Sequence, residues 1–111
     1  SKYMTTFSNT DPKMIKFFLN WITRCFGIDR DKITVLLHLY SDMNIEKYKN
    51  FWSKELNLKI EQFKKPYIKN STLANISYKN GFGKGTCNIR IYSRDINEYI
   101  MQSIKYLGNI K

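Results

Sequence analysis

The sequence predicts an α+β domain: a mixed, largely antiparallel sheet with helices packed on one face and the other face open. Three observations predict it. Apolar residues recur at helical spacing in three stretches. They alternate with period two in others. Turn-forming residues separate the two kinds of segment. With 111 residues, 42% hydrophobic and 15% aromatic, the chain can build one core but not two, so residues 1–111 read as a single domain.

The elements follow in order. Lys2 to Ser8 reads as a strand rich in Thr and aromatics. Asp11-Pro12 then opens a helix, because Asp caps free N–H groups and Pro suits the first helical position. Met14, Phe17, Phe18, Trp21, Ile22, Cys25 and Phe26 form its expected apolar stripe, and Gly27 ends it. Asp29-Arg30-Asp31 is a turn. From Ile33 to Tyr40 a strand alternates: Ile33, Val35, Leu37 and Leu39 face a core, and Thr34, Leu36, His38 and Tyr40 face away. His38 reads as a partly buried strand residue, without a Ser, Cys or acid placed to make a triad. Asn44 caps a second helix with Ile45, Tyr48, Phe51, Trp52 and Leu56 on one side. Leu58 to Phe63 is a helical turn, and Pro66 keeps Lys64–Lys69 extended. Residues 70–85 are the least ordered stretch, with glycines at 81, 83 and 85. The glycine spacing is wrong for a phosphate loop, and a strand follows instead of a helix, so a hairpin loop is expected. Cys87, Ile89 and Ile91 face inward on that strand, with Asn88, Arg90 and Tyr92 outward. Asp95 and Glu98 resemble a capping box for a last helix carrying Ile96, Tyr99, Ile100, Ile104 and Leu107.

Charge narrows the function. The net charge is +10, from 19 basic and 9 acidic residues. Lysine, asparagine and isoleucine are inflated in chains from AT-rich genes, but that does not account for the scarcity of acids. The excess is also local: residues 59–94 hold 8 basic and 1 acidic residue, net +7, whereas residues 95–111 are neutral. A cationic block of this kind suits a polyanion. The two cysteines, Cys25 and Cys87, sit in apolar patterns and read as buried free thiols, which suits a reducing, intracellular setting (cytoplasm, nucleoid or organelle matrix). One histidine leaves a Cys/His zinc site short of ligands. No apolar run reaches the ~20 residues of a membrane span, so no membrane partner is expected. Asp11, Asp29, Asp31 and Asp95 look like caps and turn residues rather than a two-metal pair. No catalytic or metal-binding residue is assigned.

The expected binding face is therefore Asn88, Arg90 and Tyr92, with Arg94 beyond them and Lys64, Lys65, Lys69, Lys79 and Lys84 on neighbouring segments. Arg and Asn can read guanine and adenine with paired hydrogen bonds, and lysines supply phosphate attraction.

Phe7-Ser-Asn-Thr-Asp-Pro-Lys-Met-Ile-Lys-Phe-Phe18 resembles the strand-then-helix segment of the LAGLIDADG homing-endonuclease-like superfamily. Phe51-Trp-Ser-Lys54, Gln62–Lys69 and Gly85-Thr-Cys-Asn-Ile-Arg90 resemble further blocks of its diverged members, so that the resemblance runs from about residue 5 to 107. It implies an αββαββα unit whose sheet lies on DNA. The helix that names the family and carries its metal-binding acid is not in this sequence; it would lie before Lys2. The helix at 44–57 is also extra. The resemblance thus implies sequence-preferring binding of double-stranded DNA without cleavage, with pairing to a second copy or to a missing N-terminal segment. The alternatives are a fragment of a Mg-dependent endonuclease whose acid lies upstream, or a basic protein-interaction or inhibitor module.

Overall fold

The computed structural model describes residues 3–70 and 83–108. Its elements are strand β1 (Met4–Asn9), helix α1 (Pro12–Phe26), strand β2 (Thr34–Tyr40), helix α2 (Ile45–Leu56), strand β3 (Tyr67–Lys69), strand β4 (Thr86–Tyr92) and helix α3 (Arg94–Gly108). Single 3-10 turns occupy Arg30–Lys32 and Ile60–Gln62. The α+β class and the mixed sheet are as the sequence predicts.

The sheet order is β1-β4-β2-β3. β4 runs antiparallel to both of its neighbours, and β2 pairs with β3 in parallel. β4, the last strand in the chain, is therefore central. Gly85 admits it to that place. Its φ is +82, and a Cβ there would come within 2.7 Å of the His38 carbonyl oxygen and 2.5 Å of a Leu39 methyl. Only glycine tolerates both the conformation and the approach.

Capping explains where the helices start. The Asp11 carboxylate accepts from the Lys13 N–H at 2.9 Å, and the Asn44 side chain accepts from the Lys47 N–H at 3.0 Å. At α3 the expected capping box is displaced by two residues. The Ser93 hydroxyl accepts from the Ile96 N–H at 3.2 Å, while Glu98 pairs with Arg94 one turn back. A serine two residues upstream reaches the free N–H groups, so Asp95 lies inside the first turn.

All three helices pack on one face. Ile15, Leu19 and Ile22 of α1, Trp52 and Leu56 of α2 and Ile96 of α3 share a core with Val35, Leu37, Leu39, Cys87, Ile89 and Ile91. This corrects the expected α1 stripe. Its centre is Ile15, Leu19 and Ile22, with Phe18, Trp21 and Phe26 on its flanks. Phe17 is 70% exposed and Met14 46%. Aromatic bulk misplaces the centre of the stripe, because the residues against the sheet must be slim enough for the backbones to approach. The cysteines diverge too. Both are free, but Cys25 is exposed and only Cys87 is buried. Burial pushes the Cys87 thiol from 9.0 up to about 12.

Candidate nucleic-acid interface

Cross-strand pairing assigns the described strand residues of the open face. Paired residues in a ladder share a face. Met4, Thr6 and Ser8 of β1 stand opposite Tyr92, Arg90 and Asn88 of β4. Thr34, Leu36 and His38 of β2 stand opposite Arg90, Asn88 and Thr86. His38 and Tyr40 stand beside Tyr67 and Lys69 of β3. Of these described residues none is acidic. The nine carboxylates lie elsewhere: in helix caps and first turns, in the turn after β2 and the two 3-10 turns, at Glu98, which pairs with Arg94, and at Glu55, which pairs with Lys16 of α1 at 3.2 Å.

Arg90 sits at the centre of one end of this face, between Thr6 on β1 and Thr34 on β2. Its Nε is buried and has no hydrogen-bond partner. A buried guanidinium N–H left unpaired is costly. Tyr92 lies beyond it, 62% exposed. Across the sheet, His38 is exposed and its ring lies 5.2 Å from that of Tyr67. The expected partly buried histidine is thus a surface residue, because only the three-residue β3 lies outside it. Lys69 ends this corner. The run from Thr34 beside Arg90 to Tyr40 beside Lys69 covers all seven residues of β2, six steps of ~3.3 Å or roughly 20 Å. That is about six base-pair steps of duplex.

Asn88 has a different job from the one the sequence suggests. It is only 8% exposed. Its amide N–H donates to the Leu36 carbonyl at 2.9 Å, and its amide oxygen accepts from the Ser8 hydroxyl. Both ends of the amide are engaged across three strands, so it cannot offer the paired contact that reading an adenine requires. It holds β1, β4 and β2 in register at the rung of Ser8 and Leu36, two residues before Arg90.

The lysines divide. Phe63 is buried beside Val35, and the Lys64 N–H donates to the Val35 carbonyl at 2.8 Å. Strand alternation then sends the Lys64 side chain to the open side. The pairing offset with β2 grows from 28 residues at Val35–Phe63 to 29 at His38–Tyr67. The Lys65-Pro66 step absorbs the extra residue as a bulge on the sheet edge. Lys84 is not on this face. Its ammonium lies 4.7 Å from the centre of the Phe51 ring on α2, and its carbonyl accepts from the Trp52 indole at 2.9 Å. Arg94 opens α3, with its Nε 3.1 Å from a Glu98 oxygen and its guanidinium 5.8 Å from the Tyr3 ring. Lys79 lies outside the described residues. The structure thus brings Arg90, Tyr92 and Lys69 onto one face with Lys64 and Lys65 at its edge, puts Arg94 at a corner and removes Lys84.

Among the described residues, no three of His, Cys, Asp and Glu cluster as metal ligands would, and no helix is long and apolar enough to cross a membrane. No family model, curated protein or solved structure matches the chain.

Proposed function

We propose that this domain binds double-stranded DNA through the open face of its sheet, without cleaving it by itself, and that Arg90 is its principal base-reading residue. One observation carries the reading: a sheet face that no described helix covers, with no acidic residue among those described and, toward one end, an arginine whose Nε has no partner. Guanine offers two acceptors on its major-groove edge, and a guanidinium supplies the matching pair of donors. Lys64, Lys65 and Lys69 supply phosphate contacts that position the duplex without reading it. The order β1-α1-β2-β4-α3 matches the last five elements of an αββαββα unit, with α2 and β3 inserted between β2 and β4. This supports placing the chain as a diverged member of the homing-endonuclease-like superfamily.

The test is a duplex titration at several salt concentrations. If Arg90 and the three lysines each neutralise one phosphate-equivalent charge, the log–log slope is about −3.6. Lys69→Ala should reduce its magnitude by about 1, while Lys84→Ala should leave it unchanged. A slope near zero, or equal effects of the two substitutions, would remove the open face as the binding surface. Tighter binding to single strands than to duplex would move the reading to base stacking on Tyr67 and Tyr92.

A further inference from the structure

The one histidine of the chain stands on the cationic face. His38 is exposed, and strand alternation sends it the same way as Thr34 and Leu36. It lies four residues along β2 from Thr34, the partner of Arg90, which is about 13 Å at ~3.3 Å per residue. The groups around its ring belong to three strands. On β3, Tyr67 is its partner, with ring centres 5.2 Å apart, and Lys69 is the next residue on the same side. On β4, Thr86 stands opposite. On β2 itself its same-side neighbours are Leu36 and Tyr40. No carboxylate is among these residues, and Asp42, the nearest in sequence, lies in the turn beyond the strand. Among the described residues no hydrogen bond or ion pair engages the imidazole, whose one ring contact is with Tyr67.

We propose, on the strength of the open-face reading, that His38 is a phosphate contact for the same duplex, made when the imidazole is protonated and weakened when it is neutral. Arg90 over a base edge sets β4 along the middle of the groove. Neighbouring strands lie ~4.8 Å apart, and the major groove is about 12 Å wide. β2 is therefore carried toward the groove wall, where the phosphates are, with β3 and Lys69 beyond it. A neutral imidazole offers a phosphate a single N–H donor. The imidazolium offers two, with a full charge. Histidine is the side chain whose charge changes between about pH 5 and about pH 8. Proton and duplex then favour one another: the factor that protonation adds to duplex affinity is the factor that the duplex adds to proton affinity.

Duplex titration of the full chain at two pH values and several salt concentrations tests this. From about pH 8 to about pH 5.5 the affinity should rise at least about fivefold. The rise should not exceed about tenfold per pH unit, the limit for one proton. The log–log salt slope should steepen by about 0.9 over the same interval. His38→Gln should keep the shallow slope at both pH values, and His38→Lys, charged throughout, should keep the steep one. Both variants should leave the circular dichroism spectrum unchanged, since the side chain is exposed. Calorimetric titration at about pH 6.5, in two buffers of different ionisation heat, should show net proton uptake by the unaltered chain on binding and none by His38→Gln. Salt-dependent duplex binding with the same affinity and slope at both pH values, or without proton uptake, overturns the role of His38 and leaves the open face standing. So does a pH dependence that survives in His38→Gln. Absence of salt-dependent duplex binding at every pH overturns the open face as the binding surface, and His38 with it.

Discussion

The two sides of β4 stand in contrast, although one seven-residue strand supplies both. Cys87, Ile89 and Ile91 are buried at 0–2% exposure against the helices. Asn88, Arg90 and Tyr92 look the other way and run from nearly buried to 62% exposed. One side is close-packed and tolerates no change of volume. The other holds three polar residues with three separate tasks: a register clamp, a cation without a partner and an exposed ring. The lesson is that a central strand can be rigid because of one face and available because of the other.

Substitutions along β4 sharpen or break this contrast. Ile89→Ala should have the largest effect, a loss of about 2–5 kcal/mol in urea unfolding, because the residue is fully buried at the centre of the core. A loss below 1 kcal/mol would mean the core is loose and the contrast false. Gly85→Ala should cost about 2–3 kcal/mol, from left-handed strain and the clash with β2. Asn88→Ala should cost about 1–2 kcal/mol, since it strands the Ser8 hydroxyl and loses the bond to Leu36. Arg90→Ala, one step further along the same face, should leave stability unchanged within about 0.5 kcal/mol while weakening binding to a preferred duplex by about 1–3 kcal/mol. If Arg90→Ala unfolds the protein, its role is structural and the comparison collapses. The effect of Cys87 is confined to alkaline solution and is the smallest near neutral pH. Its thiol is raised in the folded state, so it adds stability that is whole below pH 9.0 and is lost as pH climbs toward about 12. Cys87→Ser should remove that alkaline decline, provided the protein stays folded.

Much of the architecture was legible beforehand, and the reasons are local. The Asp11-Pro12 start and Gly27 stop of α1, the Asn44 cap of α2 and the alternation in β2 and β4 each depend on chemistry within a few residues. What stayed illegible depends on partners distant in sequence. That Asn88 is consumed by Ser8 and Leu36 requires knowing that residues 80 and 52 positions away are its neighbours. That His38 meets Tyr67 requires the register of a parallel pair, which no periodicity encodes. Lys84 misled for a similar reason: it precedes the right strand, but Phe51 draws its charge to the opposite side. For β1, the two possible faces were indistinguishable until pairing with β4 selected Met4, Thr6 and Ser8.

The position of β4 also sets an order of events. Among the described strands β1 pairs with β4 alone, and β4 separates it from β2. A nascent chain that has emerged only as far as residue 85 therefore holds the partners β2 and β3 and a β1 with no strand to join. Its first two helices can form as they leave the ribosome, and β2 can pair with β3, but β1 must wait for β4 to join the sheet. Such long-range closure is slow relative to helix formation. During that interval Leu37 and Leu39 face a core that still lacks Cys87, Ile89 and Ile91.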